Sequence, residues 1–233
     1  MYEKYWKRFF DFLLSLLALI ILSPLLLILT AVGAIAMRGD PFFTQPRPGR
    51  HEKIFRLIKF RTMDYSTDKD GRLLPDEERL NGYGRFLRST SLDELPELIN
   101  ILKGDMTIVG PRPLLVRDMV FMTPEVRRRH SVRQGLTGLA QVSGRNAMTW
   151  EKRFKYDLQY IDNGITFLGD LRIVFRTVGK VFLRDGIIEE GSETATDLGD
   201  YLLSKGEVTQ DEYRQKLREA DILLSQTGHG KGV

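Results

Sequence analysis

Ser91-Leu92-Asp93-Glu94-Leu95-Pro96 places two adjacent carboxylates where a helix reads as starting. Such a pair has two readings. Ser91 and Glu94 match a capping box, and an acid in the first turn offsets the positive end of the helix dipole. A carboxylate beside free backbone N–H groups can instead bind Mg²⁺ together with phosphates, or attack phosphorus itself. Pro96 bears on both. Counted from Ser91 as N-cap it falls past the first turn and deletes a helical bond. Counted from Asp93 it lies within that turn, where its missing donor costs little. Motif alone favours the cap, and the chemical reading stays open.

Cations suited to phosphate surround this pair in the sequence. Lys59, Arg61, Arg85, Arg88, Arg112, Arg133 and Arg145 lie in or beside turn-forming segments. Arg112 is held between two prolines, and Arg145 follows Gly144 in a loop able to approach a ligand closely. Guanidinium forks match phosphate oxygens in bidentate geometry. Each arginine alone is most simply a solvated surface charge; the set is what points to phosphate. Other chemistries are excluded. The chain has no cysteine, and its three histidines (His51, His130 and His229) are scattered and form no H-E-x-x-H. It also has no G-x-x-x-x-G-K-[ST] and no G-x-S-x-G.

Several elements must position these groups. Thr44 to Gly49 reads as a turn-rich loop. Lys53 to Met63 alternates apolar and basic residues, as a short strand with a basic face. Asp64 to Glu78 is a polar surface loop, and Leu80 to Arg88 a short amphipathic helix. Ser91 to Leu102 reads as a helix closed by Gly104. Met106 to Val109 is a short apolar stretch broken by Gly110-Pro111-Arg112-Pro113. Thr123-Pro124 opens a basic helix holding Arg127, Arg128, Arg129 and His130. Arg133 to Asn146 is punctuated by glycine, and Trp150 to Tyr160 is helical. Phe167 to Leu183 carries an apolar stripe (Leu168, Leu171, Val174, Phe175, Val178, Phe182) beside a basic one. Such a helix packs on a core or lies in a membrane interface.

The chain has 233 residues, with 42% hydrophobic and 28% charged, enough for one ordinary domain plus appendages. Charge is unevenly placed: from Arg184 onward six basic residues face eleven acidic ones, whereas residues 1–183 carry +9. A basic body suggests anionic lipid or phosphate-bearing substrate, with nucleic acid as the rival. Phe12 to Met37 contains no charge and is long enough to cross a bilayer. It is too long for the apolar region of a signal peptide. Ser23-Pro24 interrupts it, and both flanks are basic, so the positive-inside rule gives no orientation. A helix that bends at Pro24 and leaves on the side it entered satisfies both flanks; an ordinary kinked span is the alternative. The tail, Thr196 to Lys205 and Thr209 to Ser225, reads as two short helices, the second opened by a Thr209/Glu212 capping box. They bury little alone, so they dock on the body or on another chain.

The ordered motifs resemble the small monotopic phosphoglycosyl transferases, or bacterial sugar transferases, from about Lys7 to Gly191. They are the apolar segment with Ser23-Pro24, F-T-Q-x-R-P-G (Phe43–Gly49), K-F-R-T-M (Lys59–Met63), R-S-x-S-L-D-E-L-P-E-L-x-N (Arg88–Asn100), L-K-G-D-M (Leu102–Met106), G-P-R-P-L-L (Gly110–Leu115) and G-L-T-G-L-A-Q-V-x-G-R-N (Gly135–Asn146). Gln134 and Ser143 depart from the pattern, standing where members commonly have proline and asparagine.

The resemblance implies a predominantly α fold with short β elements: a re-entrant membrane helix over residues 1–40 broken at Ser23 and Pro24, a compact cytoplasmic catalytic domain with interfacial amphipathic helices over 41–191, and a helical hairpin appendage over 192–233. It implies transfer of a sugar 1-phosphate from a UDP-sugar to polyprenyl phosphate at the cytoplasmic face of a bacterial inner membrane, with release of UMP. Asp93 would be the nucleophile and a Mg²⁺ ligand, and Glu94 its partner. Lys59, Arg88, Arg112, Gln141 and Arg145 would contact phosphate or substrate. Membrane lipid and a second copy of the chain are the other partners implied, and nucleic acid is not. The competing reading is a membrane-tethered basic module that binds anionic lipid or nucleic acid.

Overall fold

A computed structural model describes residues 1–144, 148–183 and 196–227. The fold is mostly helical with two small sheets. A π-helical turn over Tyr2–Trp6 leads into α1 (Lys7–Ala36). β1 (Phe42–Pro48) and β2 (Ile54–Phe60) form an antiparallel hairpin, with Phe42 opposite Phe60 and Pro48 opposite Ile54. Next come α2 (Asp76–Arg79), α3 (Gly82–Thr90), a 3₁₀ turn over Leu92–Glu94 and α4 (Glu97–Lys103). β3 (Met106–Val109) pairs in parallel with β4 (Gln134–Thr137). Their crossover carries α5 (Val116–Met119), α6 (Pro124–Arg127) and a 3₁₀ turn over Arg128–Ser131. α7 (Leu139–Gly144), α8 (Trp150–Asp162), α9 (Phe167–Leu183), α10 (Leu198–Ser204) and α11 (Gln210–Gln226) complete it.

The segment read as a loop, Thr44 to Gly49, is mostly strand. Pro46 and Pro48 are tolerated because a two-stranded sheet is all edge, and proline's missing donor can face away from the ladder.

α1 is continuous through Pro24, so the break expected there does not interrupt the helix. The reason is local. Pro24 cannot donate to the Ile20 carbonyl, and the Ser23 hydroxyl donates to that carbonyl instead, at 2.8 Å. The helix is about 45 Å long at 1.5 Å per residue, and the body grips it at both ends. Near its start, Arg8 donates to the carbonyls of Ile101 and Leu102 at 2.5 and 2.8 Å, capping the C-terminus of α4. Asp11 accepts from the Thr107 hydroxyl and the Ile108 N–H at 2.5 and 3.0 Å. Near its end, Tyr83 donates to the Leu29 carbonyl at 2.8 Å and Asn81 to the Ala36 carbonyl at 3.1 Å. In between, Ala18, Leu19 and Leu22 pack on the core formed by Phe55, Leu57, Leu98, Ile101 and Met106. The rest of the helix surface is exposed and apolar, including Leu14, Leu17, Ile20, Ile21, Leu27, Ile28 and Ile35. A face of this size is poorly suited to water and well suited to lipid.

α9 extends that surface. Its Leu168, Leu171, Phe175 and Val178 are exposed, while Ile173 is buried against Val109, Val142, Tyr160 and Ile165. The apolar stripe therefore points outward, and the core takes a different face. Phe167 at its start stacks near Phe10 and Tyr2, with ring centroids 5.6 and 5.8 Å apart.

The tail helices dock on the body. The Leu198 N–H donates to Asp118 at 2.9 Å, Arg117 pairs with Asp197 at 2.9 Å, and Ala220 is buried against Val116, Met119 and Val120. The Thr209/Glu212 capping box is formed. Removing the chain after Gly191 uncovers these residues. It is expected to lower Tm by several degrees, measured by calorimetry.

Candidate active site

Three segments bring four charged side chains together. Lys59 stands on β2, on the same side as Phe55 and Leu57. That side packs on α4, so Lys59 is turned inward while Arg56 faces solvent. The basic face expected of this strand is therefore divided. Asn100 fixes the strand to α4: it accepts from the Ile58 N–H at 3.0 Å and donates to the Arg56 carbonyl at 2.7 Å.

The dyad lies between two helices and caps neither. Ser91 ends α3 in the left-handed conformation, φ 55°, and its side chain makes no capping bond. A 3₁₀ turn carries Asp93 and Glu94, and Pro96 stands at the N-cap of α4, where no donor is required. The capping box read from Ser91 and Glu94 is thus not formed. Glu94 goes elsewhere. It accepts from Lys59 at 2.9 Å and from the Arg112 guanidinium.

Arg112 projects from the turn after β3. That turn is fastened to β4: the Gly110 N–H donates to the Thr137 carbonyl and the Gly135 N–H to the Pro111 carbonyl, both at 2.8 Å. The backbones approach so closely that a Cβ at Gly138 would meet the Gly110 oxygen at 2.2 Å, so only glycine fits.

Lys59 also reaches Glu97 at 3.2 Å and Asp93 at 3.9 Å. Glu97 is a site residue that sequence reasoning did not single out. Its side chain is 2% exposed, the most buried of the three acids. The available signal was spacing: it stands three and four residues after the dyad, on the next turn of chain.

The electrostatics separate the acids. Burial opposes charge on all three. For Glu94 the two cations outweigh burial, and its carboxyl is held far below the usual range. Asp93 is pushed up to about 6, first by burial and then by the Glu94 charge, against the pull of Lys59, Arg112 and Arg88. Glu97 rises to about 7, chiefly by burial and with help from the Glu94 charge, against the stronger pull of Lys59. Lys59 is itself buried, which alone would lower its pKa, but Glu94 and Glu97 carry it above its ordinary value. A proton on the dyad therefore rests on Asp93. Once it leaves, Asp93 is a partly exposed carboxylate that accepts no hydrogen bond among the described residues. It is free to act as nucleophile, base or cation ligand.

Among the described residues no group of three or more His, Asp or Glu could cage a metal. Mg²⁺ prefers one or two carboxylates plus phosphate oxygens and waters. Asp93, with open lone pairs and an elevated pKa, fits such a shared site; Glu94, occupied by two cations, does not.

The remaining candidates are spread out. Arg88 donates to the Thr62 hydroxyl at 3.1 Å, and its charge acts on Asp93. The Gln141 amide donates to the Leu136 carbonyl at 3.0 Å, and its oxygen is buried with no hydrogen-bond partner among the described residues. Among the described residues no hydrogen bond joins it to the dyad. Arg145 lies outside the described residues. A cavity of about 730 Å³ opens between the end of α7 and the Lys152, Lys155 and Tyr156 side of α8, away from the dyad.

Residues 2–184 match the family model for bacterial sugar transferases. The chain belongs to the bacterial sugar transferase family. The match takes in α1, the whole charged cluster and α9, and stops short of the docked tail. This sugar transferase is 47% identical to the uncharacterized sugar transferase EpsL of Bacillus subtilis over 81% of its own length and 93% of that protein. It is 38% identical to the undecaprenyl-phosphate galactose phosphotransferase of Salmonella typhimurium over 79% of its length. It is 39% identical to the UDP-glucose:undecaprenyl-phosphate glucose-1-phosphate transferase of Klebsiella pneumoniae over 76%. The last two are longer proteins, of which the match covers 42% and 40%.

Proposed function

We propose that this sugar transferase moves a sugar 1-phosphate from a UDP-sugar to undecaprenyl phosphate or a similar polyprenyl phosphate, through a covalent intermediate on Asp93. The observation that carries the reading is the asymmetry of the dyad: Glu94 is neutralised by Lys59 and Arg112, while its neighbour Asp93 is left with free lone pairs. The names of the Salmonella and Klebsiella relatives supply the substrate classes.

In the first step an Asp93 oxygen attacks the β-phosphorus. The bond from that phosphorus to the oxygen bridging it to the α-phosphate breaks, and UMP leaves with the electron pair. In the second step a phosphate oxygen of the lipid attacks the same phosphorus, Asp93 is regenerated, and the lipid carries a diphosphosugar. Such transfers need position and charge stabilisation more than covalent help from other groups. Arg88 and Arg112 would supply charge, and Lys59 would hold the three acids in register. Asp93 would hold a Mg²⁺ ion, which when bound would supply neutralisation of phosphate charge. Glu94, firmly ionised and twice bound, suits an orienting role better than that of a proton acceptor.

Membrane attachment is monotopic on this reading. Because the body holds α1 at Arg8 and Asp11 and again at Leu29 and Ala36, a perpendicular crossing would pull charged elements into the hydrocarbon. Both ends of α1 then lie on the cytoplasmic side, with its exposed face and that of α9 in lipid. Residues 41–191 form the catalytic unit, and the tail is an appendage.

The deciding experiment is a panel of UDP-sugars incubated with a polyprenyl phosphate and read by UMP release. Turnover of at least one donor is expected. Intact mass without acceptor should show a phosphosugar adduct on Asp93. No UMP with any donor would sink the proposal. Tags at both ends should be equally protected in sealed right-side-out vesicles; unequal protection would rule out the monotopic arrangement.

A further inference from the structure

We infer that Arg129, held by Asp157 and Gln134, is a positioning residue that sets the place of Arg112 against Glu94. This rests on the function proposed above. Arg129 was read from the sequence as one cation of a basic helix. Its side chain is instead fully buried, at 0% exposure, in the 3₁₀ turn after α6.

Its contacts run in one direction. Nε and Nη2 donate to one oxygen of Asp157 on α8, at 3.0 and 2.8 Å. Nη2 also donates to the backbone carbonyl of Arg112 at 2.6 Å. The Gln134 side-chain amide donates to the backbone carbonyls of Arg129 and Val132, both at 3.2 Å. Gln134 is itself fully buried.

Follow the chain through Arg112. The carbonyl of Pro111 is held by the Gly135 N–H, that of Arg112 by Arg129, and that of Pro113 by Arg47 at 3.4 Å. Prolines on either side fix two of the φ angles near −65°. Three consecutive carbonyls tied to three different elements leave the backbone little room to rotate. The Arg112 side chain therefore leaves from a fixed point toward Glu94. Burying a guanidinium is costly, and a paired one is often no more stabilising than a hydrophobic group of the same size. A buried ion pair that also holds a catalytic arginine's backbone fits a demand for placement better than one for stability.

The test is a double-mutant cycle on the first-turnover rate of UMP release, using a donor that the wild-type protein accepts. Arg129→Lys can satisfy only part of the three-bond arrangement. It should slow first turnover at saturating donor by about 10-fold, with donor KM changed less than about threefold. In an Arg112→Ala background, where there is no guanidinium to place, the same substitution should change the residual rate less than about twofold. Equal slowing in both backgrounds would show that Arg129 acts only through the general fold and would overturn the inference. If Arg129→Lys does not give a folded protein by calorimetry, Gln134→Ala and Asp157→Asn enter the same cycle, and additivity with Arg112→Ala counts against the inference in the same way. Absence of UMP release from the wild-type protein would remove the proposed function and this inference with it; normal turnover with an additive cycle removes the positioning role alone.

Discussion

Asp93→Asn is expected to lower UMP release by at least about 10³-fold with every donor while leaving Tm unchanged or higher. Asparagine fills the same space but cannot form the mixed anhydride with phosphorus. The stability half of the result follows from the raised pKa. An acid whose folded pKa lies above its unfolded value destabilises the folded state as pH rises from about 4 through about 6, because the folded protein holds the proton more tightly. At neutral pH the charge on Asp93 is thus a cost, and its removal relieves repulsion with Glu94. The same titration predicts that wild-type turnover falls as pH drops through about 6. Calorimetry and nucleotide release on one preparation check both halves. A variant that loses activity by unfolding would show a lower Tm and would leave the chemical role of Asp93 without support.

Lys59→Met should be the most destabilising single change in the cluster. It leaves Asp93, Glu94 and Glu97 around a site with Arg112 as its nearest cation, and stranding a buried charge costs about 3–5 kcal/mol. In a protein of this size that corresponds to a fall in Tm of about 10 °C. The deficit should depend on pH with a definite sign. Glu97 is raised to about 7 even with Lys59 present, and Lys59 is one of the charges holding it down. Without Lys59 the acids bind protons more tightly in the folded state than in the unfolded one. The variant therefore loses stability as pH rises from about 5 to 8, and approaches wild type toward pH 5. A deficit that grows toward low pH would contradict the arrangement of charges around Lys59.

Much of this site was legible in the sequence, because motif order identified Asp93, Glu94, Lys59 and Arg112, and the structure brings these four together. Other features were hidden for physical reasons. The Ser91/Glu94 capping box is a statement about helical geometry three residues apart. Ser91 takes a left-handed turn that resets the chain direction, and no pattern of residue types announced it. The alternation in β2 showed which residues were basic, but not that Lys59 lies beyond the last buried hydrophobe on the inward face. Arg129 looked like its neighbours Arg127 and Arg128, and what distinguishes it is full burial against Asp157, 28 residues away in the chain, and its bond to the Arg112 carbonyl. At the periphery, the Thr209/Glu212 box and the Gly104 stop were read correctly because they are closed within one turn. The strand over Phe42–Pro48 was missed because two prolines normally signal a loop and here sit on an edge.

The anchoring of α1 has a consequence for how the protein is made. The apolar helix is synthesised before its partners: the carbonyls and the hydroxyl that Arg8 and Asp11 bind begin 93 and 96 residues later. During that interval the insertion machinery meets a long greasy segment whose tertiary partners do not yet exist. On the monotopic arrangement proposed above, the choice not to thread it through the bilayer is made from local features: positive charge at both ends, an acid at Asp11, and Pro24, whose unmade bond to the Ile20 carbonyl is replaced by Ser23. Substitutions that improve this segment as a crossing helix, such as Pro24→Leu, act at that moment. Their damage would be a wrongly threaded chain, visible in topology before any change in the finished site.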